Sequence, residues 1–277
     1  MKIAIISDVH GNLEALKTVL SDIKNRGITE IYCLGDMVHK GTHQKECLKL
    51  IKENCKVILK GNCDDYFTKE HDLNSVESEI GKKRIIWNSS MLDEEEKQYL
   101  QSLPLCYEFY LSGRLVRLFH AGPNSCYDTF GLFASINEKY SMFLPSDYTN
   151  SQKVADIVVY GHIHTQMLNM EYNKTLLNCG SVGNSLDYIR NSEKDGNVLN
   201  TTNAQYLILE GELDSTNYSA INFQFVRVPY DIEKELENNI NNPEKDAYNY
   251  ELTQGKYRDM NKVYNIFKSD GINIDEI

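Results

Sequence analysis

Three short β-branched runs, Ile3–Ile6, Ile31–Leu34 and Val57–Leu59, are separated by two stretches whose apolar residues recur at helical spacing. Short strands joined through helices specify a β-α-β-α-β opening. Asn12 stands where an N-cap belongs; Leu13, Leu16, Leu20 and Ile23 share one face of the helix that follows, and Gly27 ends it. The second helix is expected over Gln44–Asn54, with Cys47, Leu48 and Ile51 turned inward.

From Asp65 to Leu103 the pattern turns helical and more polar, with Asp93–Glu96 as an acidic first turn and Pro104 as a stop. This segment is expected to be an insertion of about two helices over the sheet edge, shaping a pocket. Tyr107–Leu111 and Leu115–Phe119 flank Ser112-Gly113 as a hairpin, and strands follow at Asp156–Tyr160, Gln166–Met170, Thr175–Leu177, Gln205–Leu209 and Phe223–Val228. At 277 residues the chain suits one large α/β domain over 1–230, with the 65–103 insertion and a helical extension over 231–277 broken at Asn238–Pro243.

Composition narrows the setting. No apolar run is long enough to cross a bilayer and no secretory segment is evident, so a cytoplasmic protein with no membrane partner is expected. Seven cysteines without a Cys-x-x-Cys pair fit a reducing compartment rather than a disulfide framework. A net charge of −11 argues against stable nucleic-acid binding, because no cationic excess exists to displace counterions. Nothing in the sequence specifies an oligomeric state.

The polar residues at the strand ends carry the chemistry. Ile5-Ile6 leads to Asp8 and His10; Leu34 leads to Asp36; Leu59 leads to Asn62; Phe119 leads to His120; Tyr160 leads to His162 and His164. Strand ends of an α/β sheet open onto a common crevice, where donors distant in sequence meet. Asp8 with His10, and His162 with His164, are two apart, so an extended turn puts each pair on one side of the chain. Carboxylate, amide and imidazole without a thiolate pair suit Mn, Fe, Zn, Ni or Co rather than Ca. Seven donors exceed the needs of one ion and match two divalent transition-metal ions roughly 3.5–4 Å apart sharing a carboxylate. Any one such pair alone reads equally as a strand-end turn; five strand ends together do not.

The blocks Asp8-Val9-His10, Gly35-Asp36, Gly61-Asn62-Cys63-Asp64, His120 and Gly161-His162-Ile163-His164 resemble, in order, the calcineurin-like metallophosphoesterase superfamily. Asn178-Cys179-Gly180-Ser181 is similar to a further family turn, with Cys179 in place of proline. The resemblance implies a four-layer αββα sandwich of two mixed β-sheets flanked by helices. It also implies Asp8, His10 and His164 on one metal, Asn62, His120 and His162 on the other, and Asp36 bridging. Within the family, the Asp-x-His-Gly-Asn start, the Gly-Asn-Cys-Asp block and Arg227–Asp231 look most like bacterial phosphodiesterases and diadenosine-tetraphosphate hydrolases.

The expected activity is hydrolysis of a phosphodiester or dinucleoside polyphosphate bond in a small, nucleotide-like substrate by attack of a hydroxide bridging the two ions. Many family members carry histidine after the position of Asn62, where it contacts phosphate and protonates the leaving oxygen; here Cys63 stands there. A thiol donates weakly, so anhydrides or activated diesters are the expected substrates, with Cys63 and Asp64 as candidate catalytic residues. Two alternatives stay open: a serine/threonine protein phosphatase or phosphomonoesterase, and a non-catalytic protein-binding scaffold on the same fold. His39 and His43 are further candidates for the pocket, read at least equally as exposed loop residues; Arg190 is a weaker candidate for a phosphate contact, read first as a surface residue, and His71 has no assigned role.

Overall fold

The structure is a computed structural model that describes residues 1–130, 134–186 and 202–254. Its elements in chain order are β1 (Lys2–Ile6), α1 (Leu13–Asn25), β2 (Glu30–Cys33), α2 (Gln44–Asn54), β3 (Val57–Ile58), α3 (Asn62–Tyr66), α4 (Glu79–Ser90) and α5 (Glu94–Ser102). There follow β4 (Cys106–Leu111), β5 (Arg114–Phe119), α6 (Ile136–Ser141), β6 (Ile157–Tyr160), β7 (Gln166–Glu171) and β8 (Lys174–Cys179). The last are β9 (Ala204–Glu210), β10 (Asn222–Val228), α7 (Ile232–Glu237) and α8 (Lys245–Gln254).

The strands form two five-stranded sheets, in the orders β10-β9-β1-β2-β3 and β4-β5-β6-β8-β7. Both are mixed: β1, β2 and β3 run parallel, as do β5, β6 and β8, while the outer neighbours pair antiparallel. Alternation along each strand explains the layers. On β1, Ile3 and Ile5 join Leu207, Leu209, Val116, Leu118, Val159 and Leu177 between the sheets. Ala4 and Ile6 face the other way, into a cluster with Leu16, Val19 and Ile23 of α1 and Cys47, Leu48 and Ile51 of α2. On the second sheet, Phe119, Val158, Tyr160 and Leu176 pack outward with Met142 and Phe143 after α6. Helix, sheet, sheet and helix are therefore the four layers expected, each apolar face covered by the next.

The 65–103 segment supplies α4 and α5. Their Ile85 and Leu100, with Leu92 and Leu103, extend the core on the outer face of the first sheet beside Ile58, and Gln44 Nε2 donates to Asn88 Oδ1 at 2.6 Å. One local expectation changes. The third strand stops at Ile58 rather than Leu59, because Gly61-Asn62-Cys63-Asp64 turns into the helix α3. The one-turn helix α6 follows Ser135, which caps it reciprocally with Glu138. Beyond Tyr230 the weak helical pattern resolves into α7 and α8 on either side of Asn238–Pro243. No helix among the described residues is long and apolar enough to cross a membrane.

Candidate metal centre

The parallel strands β1, β2, β3, β5 and β6 end at one rim, and their trailing loops carry the donors. The pairs are not extended, as the sequence suggested: Asp8, His10, Asp36, His162 and His164 all adopt left-handed backbone, with φ of 55°, 51°, 53°, 66° and 60°. Asp, Asn and His tolerate this region better than other side chains, yet each such residue still costs about 1–3 kcal/mol. Neighbouring hydrogen bonds hold the turns: Asp8 N donates to Gly35 O at 2.9 Å, His10 N to Asp36 O at 3.0 Å, and Ser181 Oγ to Asp8 O at 2.7 Å. Two glycines permit the approach of the loops. A Cβ on Gly61 would lie 2.1 Å from Asp36 Oδ1, and one on Gly161 would lie 2.1 Å from Ser7 Oγ.

The side chains gather into two sets about Asp36. In the first, His10 Nε2 and His164 Nε2 are 3.0 Å apart, and Asp8 Oδ1 lies 3.2 Å from His164 Nε2 and 3.8 Å from His10 Nε2. In the second, Asn62 Oδ1 lies 3.0 Å from His120 Nε2 and 2.8 Å from His162 Nδ1. Asp36 stands between them, Oδ2 3.8 Å from His10 Nε2 and Oδ1 3.5 Å from His120 Nε2. Asp8, His10, Asp36, His120 and His164 are buried, whereas Asn62 and His162 are partly open, so the second set faces the solvent side.

The tautomers decide what the first set can hold. His10 Nδ1 meets Val38 O at 3.1 Å, His164 Nδ1 meets Asn184 O at 2.7 Å, and His120 Nδ1 meets Leu34 O at 3.1 Å. A carbonyl only accepts, so each Nδ1 carries a proton, and in the neutral ring each Nε2 then presents a lone pair. His10 and His164 thus point two lone pairs at each other beside Asp8 Oδ1, a fully buried oxygen with no hydrogen-bond partner. Acceptors so arranged fit a cation. Nitrogens 3.0 Å apart are at the spacing of adjacent ligands about 90° apart around one ion at about 2.1 Å. Backbone carbonyls orienting imidazoles in this way are the usual outer support of a metal ligand.

The electrostatics agree. Burial alone would raise the Asp8 carboxyl, but His164, His120 and His10 outweigh it and hold Asp8 well below the carboxylate range. Asp36 is pushed up to about 7, first by burial and then by the charge of Asp8. Burial drives His10 well below its ordinary value, with His164 and Lys40 adding to the shift, and takes His162 to about 3 with help from His120. Burial thus favours the neutral, ligating form of His10 and His162, and the carboxylates of Asp8 and Asp36 stand where a divalent ion would add positive charge.

Asp64 and Cys63 sit behind this group. Asp64 is fully buried, and its carboxylate accepts from the N–H groups of Asp36 at 2.7 Å, Met37 at 2.9 Å, Gly61 at 2.9 Å and Val38 at 3.3 Å. Burial and then Asp36 raise it to about 7. Cys63 N donates to Asp36 Oδ1 at 2.8 Å, and its thiol is pushed well above the usual range by burial and the Asp36 charge. His39 is buried, stacked 4.5 Å from Phe67 and edge-on to His10. His43 precedes α2, and His71 Nε2 meets Tyr66 O at 2.6 Å. Arg190 lies outside the described residues. The anchoring carbonyls of Leu34 and Val38 have no signature in sequence; that of Asn184 lies one residue beyond the Asn178–Gly183 turn, a pointer to the loop but not to the carbonyl.

Residues 1–203 match the calcineurin-like phosphoesterase superfamily domain. An uncharacterised protein of Methanocaldococcus jannaschii is 34% identical over 253 residues, covering 87% of this chain and 92% of that protein. A symmetrical bis(5'-nucleosyl)-tetraphosphatase of Actinobacillus pleuropneumoniae is 32% identical over 85 residues, 29% of this chain and 28% of that one. The crystal structure of a metallophosphoesterase from Sphaerobacter thermophilus superposes with a TM-score of 0.68 at 22% identity, covering 92% of this chain and all of that one. By the match over its first 203 residues, and with a fold and a cluster of potential metal ligands that agree, the chain belongs to the calcineurin-like phosphoesterase superfamily.

Proposed function

We propose that the protein is a phosphoesterase that holds two divalent transition-metal ions and hydrolyses a phosphodiester or phosphoanhydride bond in a small, nucleotide-like substrate. One observation carries this reading: the facing His10 and His164 Nε2 atoms at 3.0 Å, beside the unpartnered Asp8 Oδ1. In it, Asp8, His10 and His164 hold one ion, Asn62, His120 and His162 hold the other, and Asp36 touches both. The nitrogen and oxygen donors suit Mn, Fe, Ni or Zn. When bound, such a pair of ions brings the pKa of a coordinated water near neutrality and offsets charge developing on the phosphoryl group.

The chain's own residues prepare that site. The carbonyls of Val38, Asn184 and Leu34 fix the Nδ1 protons of His10, His164 and His120, so three Nε2 lone pairs are aimed before any ligand arrives. Asp64, committed to the backbone of Asp36, Met37 and Val38, positions the shared carboxylate and reaches no reacting atom in this reading. The partly open Asn62 and His162 mark the side from which substrate enters. Cys63, a weak acid, gives the departing oxygen little help, which favours anhydrides and activated diesters. The partial likeness to a bis(5'-nucleosyl)-tetraphosphatase points to the same substrates. The seven cysteines are free thiols, in keeping with a reducing, cytoplasmic setting.

The test is metal analysis of the purified protein, then turnover of a diester, a monoester and a dinucleoside polyphosphate with Mn, Fe or Ni added. The diester or the polyphosphate should be cleaved fastest, and Asp36→Asn and His120→Ala should each lose turnover. Full turnover in both variants, or in chelator, contradicts the reading.

A further inference from the structure

The last helix among the described residues, α8, reaches the loops of the metal-facing rim through one buried carboxylate. Glu251 is 3% exposed; its Oε2 accepts from Lys40 Nζ at 3.2 Å and from Asn184 Nδ2 at 3.1 Å. Lys40 Nζ also donates to Asn184 Oδ1 at 2.6 Å, so the three side chains close a ring.

The two residues clasped by Glu251 stand on the two loops that aim one pair of imidazoles. Lys40 lies two residues past Val38, whose carbonyl accepts from His10 Nδ1, and Asn184 itself supplies the carbonyl that accepts from His164 Nδ1. Lys40 and the preceding His39 have left-handed backbone, φ 65° and 77°, a conformation such residues keep only where the surroundings hold it. Asn242, between α7 and α8, donates to Lys40 O and gives the tail a second grip on the same loop. A Lys–Glu pair this deep is costly to desolvate and a weak source of stability, so its placement calls for another reason. The ring lies on the His10–His164 side; His120 is anchored separately, by Leu34 O.

We propose that Glu251 is a positioning residue: from a helix beyond the superfamily-matched 1–203, it sets the separation of His10 and His164, and so the affinity of one metal position only. This rests on the two-ion reading above. Losing an outer-shell support of this kind typically weakens metal binding about 10–100-fold.

The experiment is equilibrium dialysis of the full chain against Mn, with bound metal counted and the two affinities resolved, alongside kcat and KM on a diester. Glu251→Ala should weaken one equivalent about 10–100-fold and leave the other unchanged. Glu251→Gln, whose amide oxygen still accepts from Lys40 and Asn184, should restore most of the loss. Tyr248→Phe, which removes the Tyr248 hydroxyl 3.5 Å from Glu235 and loosens α8 elsewhere, should leave both equivalents as in wild type. Where the alanine variant does not fold, Glu251→Asp withdraws the carboxylate by one methylene and should show the same selective weakening. Wild-type binding of both equivalents in the Glu251 variants overturns the inference, as does an equal weakening of both that Tyr248→Phe reproduces. A wild-type chain that binds no divalent ion removes the proposed function and this inference with it; two tight ions with unaffected variants remove the inference alone.

Discussion

Cys63 stands directly after Asn62 and beside Asp36, and its chemistry has a measurable consequence. The thiol is buried and its acidity is suppressed by that burial and by Asp36, to which its own N–H is bonded. In the proposed hydrolysis a departing oxygen would therefore receive little proton assistance. Rates across a series of aryl phosphodiesters should fall steeply as leaving-group pKa rises. Cys63→His should flatten that plot, with gains of up to about 100-fold for the poorest leaving groups, within the range of general acid catalysis. A flat wild-type plot contradicts this role. The donors themselves were readable because each is a side chain of distinctive type at the end of an apolar run. What aims them was not: Val38, Leu34 and Asn184 act through backbone carbonyls, which every residue has, and the left-handed turns at Asp8 and His10 replace the extended geometry that spacing alone suggests.

Among the elements, β5 and α7 each bury a charge that sequence periodicity does not flag. Arg117 on β5 is fully buried; it pairs with Glu108 at 2.7 Å and donates to the carbonyls of Phe143, Leu144, Ser151 and Lys153. One guanidinium thus ties the chain after α6 to the second sheet. Arg117→Ala strands Glu108 and those carbonyls, and should cost about 3–5 kcal/mol in urea unfolding while the folded fraction keeps its turnover. A loss under about 1 kcal/mol would place this pair with ordinary surface bridges.

Glu235 on α7 faces Glu14, Tyr230, Tyr248 and Cys47, and burial raises its carboxyl from 4.5 to about 7. An acid whose folded pKa exceeds its unfolded one stabilises the fold when protonated, and that contribution disappears as pH rises through the folded value. Wild type should therefore lose stability relative to Glu235→Gln between pH 4.5 and about 7, read as urea midpoints at several pH values; parallel profiles would contradict it. The longer helices α1 and α2 were legible from their apolar faces, and the acidic start of α5 from composition. The helices α3 and α6 span 5 and 6 residues, too short for periodicity, so only caps such as Ser135 with Glu138 betray them.

At the scale of the whole molecule, the sandwich itself makes the site. Two mixed sheets packed through Ile3, Ile5, Leu118, Val159 and Leu209 bring parallel strand ends from both sheets to one rim. Sequence supplied the strands and the family resemblance the layers. Strand order did not follow from pattern, because the pairing of β1 with β9 joins residues about two hundred positions apart and leaves no local trace. The tail was legible only as weakly helical, since the role of Glu251 depends on Lys40 and Asn184 far away in the chain. The account as a whole depends on Asp36 serving two ions at once. Anomalous diffraction from crystals of the Mn-loaded protein measures this directly: two peaks per chain are predicted, with the Asp36 carboxylate in contact with both. One peak, none, or two that Asp36 does not join would contradict it.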